Sequence, residues 1–103
     1  MITTIVQFNL PQPLSREAAR EVFSESAPAY QDKPGLIRKY YLFSEDGRRA
    51  GGVYLWLSRK AAEQQYDANW HAMIKARYGT EPTVLYFDTP VIVDNPARQI
   101  PVD

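Results

Sequence analysis

The chain has 103 residues, with twelve Lys or Arg, twelve Asp or Glu, one histidine and no cysteine. That length fits one domain with a modest core, and the balanced charge sets up no field favouring nucleic acid or an anionic membrane. Without cysteine there are no disulfides, thiolate nucleophiles, zinc ribbons or iron–sulfur clusters.

The N-terminal "MITTIVQFNL" carries neither a basic n-region nor a long apolar run. No signal peptide is therefore expected, and the expected compartment is the cytoplasm. No apolar stretch approaches the ~20 residues of a membrane span. "ITTIVQFNL" (2–10) is rich in β-branched residues and reads as a first strand, ended by "PQP" because proline cannot donate to a ladder. Ser15 is placed to cap a helix, with Glu17 in its first turn favouring the positive end of the dipole. Ala19, Val22, Phe23, Ser26 and Tyr30 recur at helical spacing, and Pro28 bends or ends that run. "DKPG" (32–35) turns the chain, "LIRKYYLFS" (36–44) reads as a second strand, and "EDGRR" as a tight turn. "AGGVYLWL" (50–57) completes a hairpin as the third strand. Ser58 is expected to cap one continuous second helix running to about Arg77, with Gly79 as its stop. "TVLYFDT" (83–89) is a fourth strand, and residues 90–103 form a tail with one apolar run, "VIV".

Strand, helix, strand, strand, helix, strand is the order of an α+β, ferredoxin-like βαββαβ unit. Two helices then cover one face of a four-stranded antiparallel sheet. The other face should alternate toward polar residues if it met water. Instead Leu36, Ile37, Tyr40, Tyr41, Leu42 and Phe43 occupy both faces of the second strand, and Val84, Leu85, Tyr86 and Phe87 both faces of the fourth. The simplest cover is the sheet of a second copy, so a sheet-to-sheet homodimer is expected, with the tail packing on the partner.

"PGLIRKYYLFSEDGRRAGGVYLWLS" (34–58) resembles the YdhR-type mono-oxygenases of the dimeric α+β barrel superfamily, to which the antibiotic-biosynthesis mono-oxygenases also belong. The resemblance rests on the proline–glycine turn, the aromatic-rich strand, the acidic turn, and "AGGVYLW" feeding a capped helix. It implies a dimeric barrel with a cavity between sheet and helices in each subunit. It also implies oxidation of a phenolic or polycyclic compound without metal, flavin or haem, since an electron-rich phenolate can itself reduce oxygen. The protein then supplies a dry pocket, polar groups for the anion and aromatic walls.

Several residues are candidates for substrate contact. Asn69 falls on the expected apolar stripe with Ala62, Tyr66 and Met73, where it either bonds a backbone carbonyl or meets a substrate oxygen. Tyr66 and Trp70 lie on or beside that stripe, and Trp56 stands in the aromatic third strand; each is either core or cavity wall. Gln7 and Asn9 share one face of the first strand and offer amides from the cavity floor, unless Asn9 bonds within the turn before Pro11. Arg38 and Lys39 interrupt the second strand on opposite faces. One of them snorkels to a rim, and Arg38 is the candidate for an anionic substrate group. His71, the sole histidine, is expected on the wet face of the helix. Gly51 and Gly52 mark a bulge or close backbone approach, or else only the exit from a turn.

No carboxylate pair, phosphate loop or metal-ligand cluster stands out, so no cofactor is expected. The alternative to an oxygenase is a non-catalytic dimer that carries a small aromatic or apolar ligand. The resemblance also implies a haem-degrading alternative, since related barrels use an asparagine on the first strand with a tryptophan and a histidine on the second helix. Asn9, Trp70 and His71 would be those residues, but the last two are adjacent and point ~100° apart on a helix.

Overall fold

The computed structural model of the protein describes residues 1–96. Strand β1 (Ile2–Asn9) is followed by helix α1 (Arg16–Ser26), which a 3₁₀ turn at Ala27–Tyr30 extends. The Ser15 hydroxyl accepts the Ala18 N–H at the start of α1, as its position implies. Pro28 in the 3₁₀ turn cannot continue an α-helix, because it lacks the N–H. The hairpin β2 (Leu36–Phe43) and β3 (Arg49–Trp56) comes next, and β4 (Thr83–Asp88) closes the sheet in the order β2-β3-β1-β4. Every neighbouring pair is antiparallel. This is the ferredoxin-like βαββαβ unit.

The second helix departs from the sequence expectation. It is two helices, α2 (Arg59–Gln65) and α3 (Ala68–Tyr78), broken at Tyr66–Asp67. Ser58 caps α2, and Gly79 ends α3 in the left-handed conformation that suits a residue without a Cβ. Between them Tyr66 leaves helical geometry (φ −95°, ψ 51°), and the Asp67 carboxylate accepts the Trp70 N–H at 2.8 Å as a fresh N-cap. Starting a new helix at Asp67 resets the phase of the buried stripe. Trp70 and Ile74 turn inward, whereas Asn69 is exposed; the expectation that Asn69 sits in the apolar stripe is corrected. His71 is also corrected. It is partly buried, with its ring edge-on to Trp70 at 4.9 Å.

The helices cover the face of the sheet that carries Thr4, Val6 and Phe8 from β1 and Ala50, Tyr54 and Trp56 from β3. Gln7 and Asn9 are exposed on the opposite face, so they are not the floor of a space beneath the helices. β1 has apolar residues on both faces, which left the parity of its strand open until helix packing decided it. The irregularity in the sheet is likewise not at Gly51 or Gly52, whose register is continuous, but in β2 between Leu36 and Arg38. Gly51 answers the second of the sequence alternatives: a Cβ there would lie 1.8 Å from the Val6 carbonyl oxygen, so β1 approaches too closely for any side chain. A Cβ on Gly52 would meet the Tyr54 ring at 3.1 Å and Lys39 Cε at 3.4 Å, so the space above Gly52 belongs to those two side chains.

The face away from the helices exposes Tyr40, Leu42, Leu85 and Phe87, with Leu85 52% and Phe87 49% accessible in the single chain. Asp94 of the tail reaches Arg38 on this face at 3.5 Å. Residues 97–103, the rest of the tail expected to pack on a partner, lie outside the described residues. Among the described residues no helix is long and apolar enough to cross a membrane.

Candidate functional site

A row of side chains crosses the helix-covered face in register. Lys39 of β2 stands opposite Tyr54 of β3, Tyr54 opposite Thr4 of β1, and Thr4 opposite Tyr86 of β4. At one end of the row, Tyr66 from the α2–α3 break hydrogen-bonds through its hydroxyl to Thr4 Oγ1. Trp56 donates its Nε1–H to the same oxygen at 3.0 Å and is wholly buried, stacked 5.8 Å from Tyr54. Both aromatic candidates thus have their polar ends satisfied within the core. Burial pushes the Tyr66 and Tyr54 hydroxyls well above the usual phenol range, so both stay protonated.

At the other end lies Lys39. Its Nζ sits 3.5 Å from the Tyr30 ring centroid, 3.8 Å from Tyr41 and 4.6 Å from Tyr54. Of the adjacent pair Arg38 and Lys39, Lys39 turns beneath the helices and Arg38 faces out toward Asp94 and Tyr40. Burial pulls the Lys39 ammonium down from 10.5 to about 7, because the rings contribute no full negative charge to offset lost hydration.

Lys39 lines a small, partly open cavity of about 30 Å³ between the sheet and the helices, with room for about one water-sized group. Ser26, Tyr30, Trp70, Met73 and Arg77 line this cavity and also a solvent-open cleft of about 430 Å³ between α1 and the α2–α3 pair. The two form a narrow inner chamber beneath a wider mouth. Trp70 stands where they meet, 5% exposed, and its indole Nε1 is a buried donor without a hydrogen-bond partner. A wider groove of about 670 Å³ runs between α1 and β2, with the exposed charged groups Arg16, Arg20 and Glu45 among its lining.

Of the sequence candidates, Trp70 lines the chamber, whereas Tyr66 and Trp56 form the packed row beside it. Asn69, Gln7, Asn9 and Arg38 are exposed outside it. Asn9 is also on the other side of the sheet from Trp70 and His71, so the residues of the haem reading are not brought together. Sequence reasoning missed Lys39 as a chamber residue, along with Tyr30, Tyr41 and Ser26. The available signal was the adjacency of Arg38 and Lys39, which requires one of the two to point under the helices.

The family described as "Putative mono-oxygenase ydhR" matches residues 4–88. Among solved structures, the chain is similar to SnoaB, a cofactor-independent oxygenase from Streptomyces nogalater. The TM-score is 0.63 at 15% identity, over 85% of this chain and 91% of that one. It is also similar to the monooxygenase from the gene ActVA-Orf6 of Streptomyces coelicolor, solved in complex with nanaomycin D. That match has a TM-score of 0.62 at 16% identity, over 85% and 86% of the two chains. Rv0793 from Mycobacterium tuberculosis matches with a TM-score of 0.60 at 18% identity, over 85% and 93%. At such identities the likeness establishes a shared fold. No curated protein matches the sequence significantly.

Proposed function

The chain belongs to the family described as "Putative mono-oxygenase ydhR", and from that premise we propose that it oxygenates a small, flat, phenolic compound bound at the mouth and inner chamber beneath the helices. The substrate itself supplies the electrons that reduce O₂, so the protein needs no metal or organic cofactor. The description of SnoaB as a cofactor-independent oxygenase supports this chemistry. The unpaired Nε1–H of Trp70 is the observation that carries the location. A buried donor left unsatisfied costs about 1–3 kcal/mol, which a substrate oxygen recovers on binding. The cleft has the volume of ordinary small-molecule sites, roughly 300–1,000 Å³. The surrounding rings orient a flat substrate, and the chamber keeps bulk water from the phenolate.

Trp70→Phe tests this reading, since it keeps most of the ring and deletes the donor. With a quinol or hydroxyanthrone that the wild type turns over in an oxygen electrode, kcat/KM should fall by roughly 5- to 100-fold. The melting temperature should hold or rise, because an unsatisfied group has gone. Undiminished turnover refutes the location. Binding without oxygen consumption across the substrate panel would instead identify a carrier.

We also propose that a second copy covers the face bearing Tyr40, Leu42, Leu85 and Phe87. A sheet face this apolar is an interface in waiting, and an obligate dimer built on it is expected to bury more than roughly 2,000 Å² in total. Wild-type protein should sediment as a dimer at micromolar concentration, and Leu85→Asp with Phe87→Asp should sediment as a monomer. A folded wild-type monomer refutes this part.

A further inference from the structure

We propose that Lys39 is the proton acceptor for the phenolic substrate: the phenol enters neutral, its hydroxyl occupies the inner chamber, and the proton passes to the Lys39 amine. The inference rests on the oxygenase reading for its substrate class but not for its chemistry, which is a proton transfer alone. The O–H bond breaks with its electron pair kept by oxygen. An N–H bond forms from the Nζ lone pair, leaving a phenolate beside an ammonium.

Geometry carries the proposal. The inner chamber of about 30 Å³ fits a hydroxyl and no ring, while the 430 Å³ cleft above it fits the ring. Lys39 and Trp70 both line the chamber, so an oxygen there meets a proton acceptor beside the indole ring. None of the side chains lining the chamber is a carboxylate. The ionisable groups facing Lys39 are Tyr41 on its own strand, Tyr54 on β3 and Tyr30 on the 3₁₀ turn. Arg77 and Tyr78 come from α3, with Arg77 engaged by Glu25 of α1 at 3.6 Å. From α2, Gln65 donates to the Tyr30 hydroxyl and carries no charge. Tyr78, pushed up to about 12 by burial, and Tyr41 and Tyr54, pushed up by the same cause, remain neutral near pH 7. The amine is thus free to accept a proton, and once charged it gains the faces of three rings and the new phenolate. With Lys39 held down to about 7, the best-matched substrates are phenols acidified by a ring carbonyl or similar group, since a base works best when its pKa lies near that of its partner and the working pH.

The test uses 4-nitrophenol, which is colourless as the phenol, yellow as the phenolate, and ionises near neutrality. At pH 8 the free probe is mostly phenolate and Lys39 mostly neutral, so forming the ammonium–phenolate pair must draw a proton from solution. Calorimetry in buffers of different ionisation enthalpy should report close to one proton taken up per probe bound by the wild type. Lys39→Met and Lys39→Arg, shown folded by circular dichroism, should take up none, although the arginine variant keeps a positive charge. The bound probe's colour change should shift at least tenfold in proton concentration toward acid in the wild type and not in Lys39→Met. Binding without proton uptake, equal uptake by the variants, or no binding at millimolar probe overturns the assignment. Because the probe needs no turnover, proton-linked binding with no oxygen consumption for any phenol would remove the oxygenase reading and leave Lys39 standing.

Discussion

Gly51→Ala is expected to leave little folded protein. The added Cβ would lie 1.8 Å from the Val6 carbonyl oxygen and 2.8 Å from its carbon, both backbone atoms of the central strand β1. Relief requires β1 and β3 to part, and β1 also carries β4, so the displacement disturbs three of the four strands. Overpacking in a core usually costs about 1–3 kcal/mol when side chains can yield. Here backbone must yield, and at least about 3 kcal/mol is expected, a large share of the roughly 5–15 kcal/mol that holds a domain together. Gly52→Ala is the control. Its closest obstacles are the Tyr40 carbonyl oxygen and the Tyr54 ring at 3.1 Å and the Lys39 stem at 3.4 Å, of which the side chains can move by a few tenths of an ångström. Urea denaturation should rank wild type above Gly52→Ala and Gly52→Ala well above Gly51→Ala. A stable Gly51→Ala protein would mean that the two strands are further apart than described.

Lys39→Met is expected to stabilise the protein, most strongly below pH 7. Burial moves the ammonium from 10.5 in the unfolded chain to about 7 in the fold. Between those values the unfolded state holds a proton that the native state lacks, so native stability rises with pH by up to about 1.4 kcal/mol per unit. Read downward, stability is greatest near the unfolded value, falls as pH drops toward 7, and is level below it. The tyrosines act oppositely. Their raised values in the fold favour the native state below the unfolded value and remove that stability as pH climbs past about 10. A stability maximum near pH 9–10 follows from the two limbs together. Methionine fills similar volume without a charge to desolvate, and should add about 2–4 kcal/mol at pH 6 after the lost ring contacts are counted. The gain should vanish by pH 10. Urea titrations at pH 6, 8 and 10 decide it; equal gains at all three would show that the amine is not kept from its proton by the fold.

Much of the fold was legible because the cues were local. The β-branched run of β1, the hydroxyls of Ser15 and Ser58, the prolines and Gly79 each act within a few residues of themselves. The break in the second helix was legible in principle, since Asp67 is a good capping residue three positions before Trp70. It was overridden by an apolar spacing that ran through it, and that error in phase carried Asn69 inward. Strand parity was a harder matter. Ile5 with Gln7 and Val6 with Phe8 offer two plausible inner faces for β1, and only the helices, packing from elsewhere in the chain, choose between them. The irregularity between Leu36 and Arg38 interrupts the alternation of β2 just before the Arg38–Lys39 pair. Which of two adjacent cations enters the interior therefore depends on tertiary packing. The sheet-facing site was in turn legible only as far as its abundance of aromatic residues.

The two tryptophans occupy opposite situations, one fully buried with its indole N–H bonded to Thr4, the other beside the cleft with its N–H unbonded and the His71 ring against it. The first should emit as a constant, blue-shifted fluorophore that no quencher reaches, and the second should change in intensity as anything fills or leaves the space beside it. Light absorbed by the surrounding tyrosines passes to both indoles, so the unlabelled protein carries its own reference lamp and its own occupancy gauge within one emission band.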